Sequence, residues 1–203
     1  MTARSLLKRG LLLEYATLGW NVVGVVILAV AAYAARSVAL AGFGLDSLIE
    51  IFASVVVVWH LLGIHLDRER TALRLIGIAF VLLVVYIAAQ LAYTVLTQTH
   101  PAASVGGIGW TAATLVAMLL LAYGKRVTGE RLGNEVLRTE SRVTLVDAYL
   151  AGAVLIGLAL NALARWWWAD PLASLVIVYY AVREARHAFT ESAADGYACG
   201  AET

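Results

Sequence analysis

Residues 37–63 read SVALAGFGLDSLIEIFASVVVVWHLLG, an apolar run in which Asp46 and Glu50 are the only acidic residues. A helix needs roughly 20 mostly apolar residues to cross the hydrocarbon core of a bilayer, and this run is longer than that. Further stretches of the same character lie at residues 11–34, 72–97, 104–124, 140–164 and 170–190. The sequence therefore predicts an all-α, polytopic membrane protein with six transmembrane helices.

The composition of the whole chain favours the same fold class. Of the 203 residues, 62% are hydrophobic and 14% are charged, and the mean hydropathy is +0.81. Soluble domains are about 45–50% apolar and about 25% charged, so a soluble fold is excluded. Outer-membrane strands are excluded because they read as short alternating segments. We expect a six-helix transmembrane domain over residues 1–190 and a short cytoplasmic tail over residues 191–203.

The basic residues indicate how the chain is oriented, since Lys and Arg accumulate on the cytoplasmic side of membrane proteins. Every Lys and Arg other than Arg36 and Arg165 falls on one side of the predicted spans. We therefore expect both termini in the cytoplasm, in a multi-pass protein of the cell inner, or plasma, membrane. The formal net charge of +1 gives no reason to expect nucleic-acid binding.

Among the acidic residues inside the predicted spans, three matter most, because a carboxylate at mid-bilayer costs at least about 2.5 kcal/mol. Asp46 and Glu50 are four residues apart, so they lie on one face of the second helix, one turn apart. Asp147 lies within the fifth helix. No basic residue lies within a turn of the first two, so their carboxylates must share a proton or bind a cation. The alternative is that protonated acids serve helix packing alone.

Four further polar residues are candidates for an accessory role. Glu140 lies seven residues before Asp147 on nearly the same helical face, and Thr144 lies between them. Glu14 and Asn21 are also seven residues apart, on one face of the first helix. An ordinary alternative stays open for most of them. Glu140 would pair with a nearby arginine, Glu14 would reach the membrane interface, and Asn21 would form interhelical hydrogen bonds.

Asp46, Glu50 and Asp147 together predict an oxygen-rich metal site between the second and fifth helices. Carboxylates suit divalent cations such as Mg, Mn, Fe(II) and Zn. An all-protein calcium cage needs more ligands than these residues provide. We expect the cation to be a substrate, and we expect no prosthetic group.

Three segments of the chain resemble the cation diffusion facilitator family, the proton-coupled exporters of zinc and other divalent metals. The residues Ser37 to Leu40, followed by Asp46 to Glu50, resemble that family's second helix. The segment from Asp147 to Gly157 resembles its fifth helix, and Trp168 to Pro171 resembles its turn into helix six. The resemblance implies a six-helix cation transporter whose metal ligands lie on helices two and five.

The chain departs from the family pattern at two points. The family's fifth helix usually has a histidine four residues before its aspartate, where this chain has Val143. Without an imidazole, which suits zinc, the ion stays open among Zn, Mn, Fe, Co and Cd, and water, Thr144 or Glu140 must complete the site. We also expect no counterpart of the family's C-terminal cytoplasmic domain after residue 190, as in a short bacterial-type branch. A homodimer is therefore left open.

The resemblance implies metal efflux by metal–proton antiport, with the metal ion, protons and the lipid bilayer as partners and no enzymatic activity. The sequence has no Ser/His/Asp nucleophilic set, no His-Glu-x-x-His helix and no glycine-rich phosphate loop. Two alternatives stay open. A proton-coupled carrier of organic cations predicts an aromatic-lined cavity. A non-transporting membrane protein that assembles with a partner predicts that the buried acids serve packing.

Overall fold

A computed structural model describes residues 3–62, 69–98 and 100–198, and over these residues the chain folds into six α-helices without a strand. The all-α prediction is confirmed in this part of the chain. The helices are α1 (Ala3–Ala35), α2 (Val38–Leu61), α3 (Glu69–Thr97), α4 (Val105–Leu132), α5 (Glu135–Ala164) and α6 (Ala169–Ala198).

The helices α1 to α5 are long and apolar enough to cross a membrane. The helix α6 differs in composition, since Asp170 lies in its first turn and Arg183, Glu184 and Arg186 follow from its middle onward. The role of α6 as the sixth span and the cytoplasmic placement of both ends stay predictions. The helix α6 also continues without a break past residue 190, where the sequence predicts that the transmembrane domain ends.

The connection between α4 and α5 is shorter than predicted. The predicted spans 104–124 and 140–164 leave a charged loop between them, but α4 continues to Leu132 and α5 begins at Glu135. The prediction of a long loop is wrong because Lys, Arg and Glu, which lower hydropathy, are also good helix formers. Gly133 makes the turn with a φ of 65°, a left-handed conformation that glycine adopts without steric cost. Asn134 then caps α5 by accepting a hydrogen bond from the backbone N–H of Leu137 at 2.9 Å.

The helices pack as a group of four and a pair. The helix α1 contacts α2 and α4, α5 contacts α4 and α2, and α3 packs along α6. An apolar core fills the end of the bundle where α2 begins, and Leu40, Phe43, Ile87 and Val154 are fully buried in it. The opposite end of the four-helix group contains buried charged residues.

The first turn of α2 is held by a side chain from α6. The carboxylate of Asp170 accepts hydrogen bonds from the backbone N–H groups of Val38 at 3.0 Å and Ala39 at 3.3 Å, and from the hydroxyl of Ser37. These donors have no partner within the helix, and a negative charge is favourable at a helix N-terminus. This joint between Asp170 and the first turn of α2 fixes the start of α2 against α6.

Candidate metal site

The acids Asp46, Glu50 and Asp147 are all buried. Asp46 and Glu50 lie about 12 Å and 18 Å along α2 from its first residue, at a rise of about 1.5 Å per residue. Their exposed fractions are 8% and 6%, and that of Asp147 on α5 is 3%. The carboxylate of Glu50 interacts electrostatically with those of Asp147 and Asp46. Asp147 also interacts with Asp46, so the fold brings the three acids within electrostatic range of one another.

Several oxygen atoms of these acids are buried without a hydrogen bond. Oε1 of Glu50 and both carboxylate oxygens of Asp147 have no hydrogen-bond partner in the described part of the chain. Buried polar atoms in native proteins nearly always have such a partner, because an unsatisfied one costs about 1–3 kcal/mol and a charged one costs more. A bound proton or a bound cation would remove the cost of burying these oxygen atoms without a partner.

The three acids do not form a closed coordination sphere in this conformation. Among the described residues, no group of three or more His, Cys, Asp or Glu side chains lies close enough together to hold a metal ion. Val143, one turn before Asp147 on α5, has no ligand atom to offer. The arrangement is therefore a set of neighbouring but separate carboxylates.

Three of the four accessory candidates, Glu14, Glu140 and Thr144, surround the ammonium group of Lys125. The hydropathy pattern predicts that this lysine lies in a loop, just after the span 104–124. Lys125 on α4 is fully buried, and its Nζ lies 3.0 Å from Oε2 of Glu14 and 3.3 Å from Oε1 of Glu140. Nζ also donates a hydrogen bond to Oγ1 of Thr144 at 3.0 Å. Glu140 in turn accepts a hydrogen bond from the hydroxyl of Ser54 at 3.5 Å. We call these residues the Lys125 network, and they connect α1, α2, α4 and α5.

Helical spacing carries a signal that identifies Lys125. Thr114, Met118 and Ala122 are buried on α4, and Lys125 follows them by eleven, seven and three residues. These intervals place all four side chains on one face of a helix. If α4 is continued past residue 124, the helical spacing therefore predicts that Lys125 lies inside the bundle. The span predicted from hydropathy ends at residue 124, so it leaves Lys125 out.

Asn21, the fourth accessory candidate, forms no hydrogen bond with any of these acids in the described part of the chain. It is 2% exposed, and its Nδ2 donates a hydrogen bond to the backbone carbonyl of Thr17 at 3.2 Å, within α1. Among the described residues, this hydrogen bond gives Asn21 a partner on its own helix, whereas the interhelical alternative requires one on a neighbouring helix.

A cavity between α1, α2 and α3 bears on the organic-cation alternative. Its volume is about 970 Å³, and Tyr33, Tyr86 and Tyr93 line it. Aromatic faces attract organic cations, as that alternative requires. However, Arg36 also lines the cavity, and its described lining contains no Asp or Glu. An organic cation would therefore meet a like charge there, away from the buried acids.

Comparison with known families adds an independent observation. A family model described as the cation efflux transmembrane domain matches residues 16–195 of the chain. The matched range contains Asp46, Glu50, Asp147 and Lys125. A search of curated proteins finds no match.

Proposed function

This chain belongs to the cation efflux family of membrane transporters, and we propose that it exports a divalent metal cation in exchange for protons. We infer that Asp46 and Glu50 on α2 and Asp147 on α5 are the ligands. The observation that carries this proposal is that Oε1 of Glu50 and both carboxylate oxygens of Asp147 are buried and have neither a hydrogen bond nor an ion pair in the described part of the chain. The family and the apolar helices support a multi-pass membrane protein, and we propose that its membrane is the cell inner, or plasma, membrane.

The chemistry of these acids supports a divalent cation as the substrate. Two or three carboxylates within electrostatic range repel one another when ionised, and burial raises the cost of each charge. A divalent cation offsets that repulsion, and carboxylate oxygen is a ligand that Mn, Fe(II), Co, Zn and Cd all accept. Since Val143 supplies no imidazole, the ligand set does not favour zinc over the others.

Exchange with protons follows from competition for the same oxygen atoms. A carboxylate must lose its proton to bind a metal, so each cation that binds displaces protons and each proton that binds weakens the metal. In the proposed cycle, the cation enters from the cytoplasm and draws α2 and α5 together, which closes the separate carboxylates around it. The bundle then opens to the outside, where protons replace the cation.

The experiment that tests this function is cation uptake into proteoliposomes of the purified full chain under an imposed pH gradient. Zinc, manganese, iron(II), cobalt and cadmium are supplied in turn, and a pH-sensitive dye in the lumen reports counter-movement of protons. We expect uptake of at least one ion by the wild-type protein and none by Asp147→Asn. Glu130→Gln is the matched control, because Glu130 is an exposed acid paired with Arg126 on the surface of α4.

Two results would overturn the proposal. If Asp147→Asn takes up the cation at the wild-type rate, the assignment of Asp147 as a metal ligand is wrong. Failure of the folded wild-type protein to move any of the five ions would favour the organic-cation carrier or the partner-binding protein instead.

A further inference from the structure

The ammonium of Lys125 donates hydrogen bonds to Glu140 and Thr144 and forms an ion pair with Glu14. A lysine ammonium has three N–H donors, and three oxygen atoms from two helices lie within 3.3 Å of Nζ. They belong to Glu14 on α1 and to Glu140 and Thr144 on α5. The lysine itself has no exposed surface. The ammonium thus fills a small, oxygen-lined site inside the bundle.

The position of this site matters because it adjoins the proposed metal ligands. Lys125 interacts electrostatically with Glu50 as well as with Glu14 and Glu140. It also interacts with Asp147. The ammonium therefore interacts electrostatically with acids on both helices of the proposed metal site. In the described part of the chain, no hydrogen bond or ion pair joins Lys125 directly to Glu50 or Asp147.

We propose that Lys125 is a built-in cation that occupies a second carboxylate site, formed by Glu14, Glu140 and Thr144, and so confines the transported divalent cation to the first. The part concerning the transported cation rests on the proposed function. Glu14 and Glu140 are buried acids of the same kind as Asp46, Glu50 and Asp147, and they offer a divalent cation the same ligand atoms. The ammonium is covalently held beside them, so a free ion competes with a very high local concentration of positive charge.

The alternative is that the Lys125 network is an ion pair that only holds the helices together. Both hypotheses, the built-in cation and the structural ion pair, predict a loss of stability when the charge of Lys125 is removed, because a buried ion pair is broken. They differ in what the two freed carboxylates do next. A vacated cation site takes up a metal ion, whereas a purely structural pair only weakens the fold.

The test counts the metal ions bound by the purified full chain at equilibrium, with zinc and manganese as the probes. Lys125→Met removes the charge and keeps the length of the side chain. We expect the number of bound ions to rise by about one per chain, because the freed carboxylates and the hydroxyl form a new ligand set. Added metal should then also raise the melting temperature of Lys125→Met more than that of the wild-type protein. In the control, Lys125→Met combined with Glu14→Gln and Glu140→Gln, the extra ion should be lost.

A second variant covers the case in which Lys125→Met does not fold. Lys125→His keeps a side chain that pairs with Glu14 and Glu140 as an imidazolium and ligates zinc as a neutral imidazole. We expect folded Lys125→His to bind about one zinc ion more than the wild-type protein. Its control again replaces both glutamates with glutamine, and there the additional ion should be absent.

The outcomes separate this inference from the proposed function. One ion in the wild-type protein and a second in the variants supports both. An unchanged number of ions in the folded variants overturns the role of Lys125 and leaves the function standing. No ion in the wild-type protein but one in the variants overturns the assigned metal ligands and supports the built-in cation. No ion in any of the proteins overturns both.

Discussion

Two sets of buried acids share the four-helix group and differ in what neutralises them. In the Lys125 network, Glu14 and Glu140 face an ammonium at 3.0 and 3.3 Å. In the second set, Glu50 and Asp147 form no ion pair with a basic side chain in the described part of the chain. Burial alone therefore does not identify a metal ligand, because an ammonium of the protein itself is paired with the acids of one set and not with those of the other.

The difference predicts opposite effects on stability when one charge is removed from each set. Lys125→Met leaves Glu14 and Glu140 without their ammonium and should lower the free energy of unfolding by about 3–5 kcal/mol, as for other broken buried ion pairs. Asp147→Asn removes a buried charge that has no hydrogen bond or ion pair in the described part of the chain, and it should leave the free energy of unfolding unchanged or higher. Thermal unfolding in detergent without added metal compares the two. Equal losses from both substitutions would erase the distinction between the sets.

Substitutions among the proposed metal ligands, in contrast, should lower the rate of cation transport. Glu50→Gln replaces a proposed ligand by a neutral amide of the same shape and should lower cation uptake at least about 100-fold, since even indirect partners of metal ligands contribute 10–100-fold. The measurement is initial uptake into proteoliposomes, with Glu130→Gln as the control. Uptake within a few-fold of wild type would remove Glu50 from the site.

The identity of the ion should depend on the position one turn before Asp147. Val143→His supplies an imidazole beside the carboxylates, so zinc should bind about 10-fold more tightly, while manganese, which prefers oxygen ligands, should gain little. Competition between the two ions in an equilibrium binding assay measures the change. If both affinities moved together, position 143 would not face the bound cation.

The joint between α6 and α2 should affect stability and leave the ligands in place. Asp170→Ala removes the acceptor for the backbone N–H groups of Val38 and Ala39 and should lower the free energy of unfolding by about 1 kcal/mol. Affinity for the cation in the folded protein should be nearly unchanged. A loss of affinity as large as that of Glu50→Gln would mean that the joint positions the acids more closely than we infer.

The fold could be predicted from the sequence because hydropathy and helix length are local properties. Apolar runs mark α1 to α5, and the structure places a helix at each of them. The limits of α4 and α5 could not be predicted in the same way. Charged residues from Lys125 onward lower hydropathy without ending the helix, since Gly133 is the residue that turns the chain.

Part of the candidate site could be predicted from the sequence, because helical spacing is also a local property. The four-residue spacing of Asp46 and Glu50 places them on one helical face from the sequence alone, and Asp147 is an acid within an apolar run. The partner of Glu140 was not predictable, because it depends on how α1, α4 and α5 pack. Nearby arginines were the expected partners, and Lys125 takes that place from within the bundle. The ligand role of the three acids stays a proposal.

Anomalous diffraction from crystals of the full chain grown with cadmium or zinc tests the central claim most directly, since it locates the cation. The account predicts a peak at about 2.0–2.2 Å from carboxylate oxygens of Glu50 and Asp147 when zinc is used, with Asp46 completing the set. It also predicts that the ammonium of Lys125 keeps its place beside Glu14 and Glu140. A peak between Glu14 and Glu140, or a bundle without an ordered cation under conditions of measured transport, would contradict it.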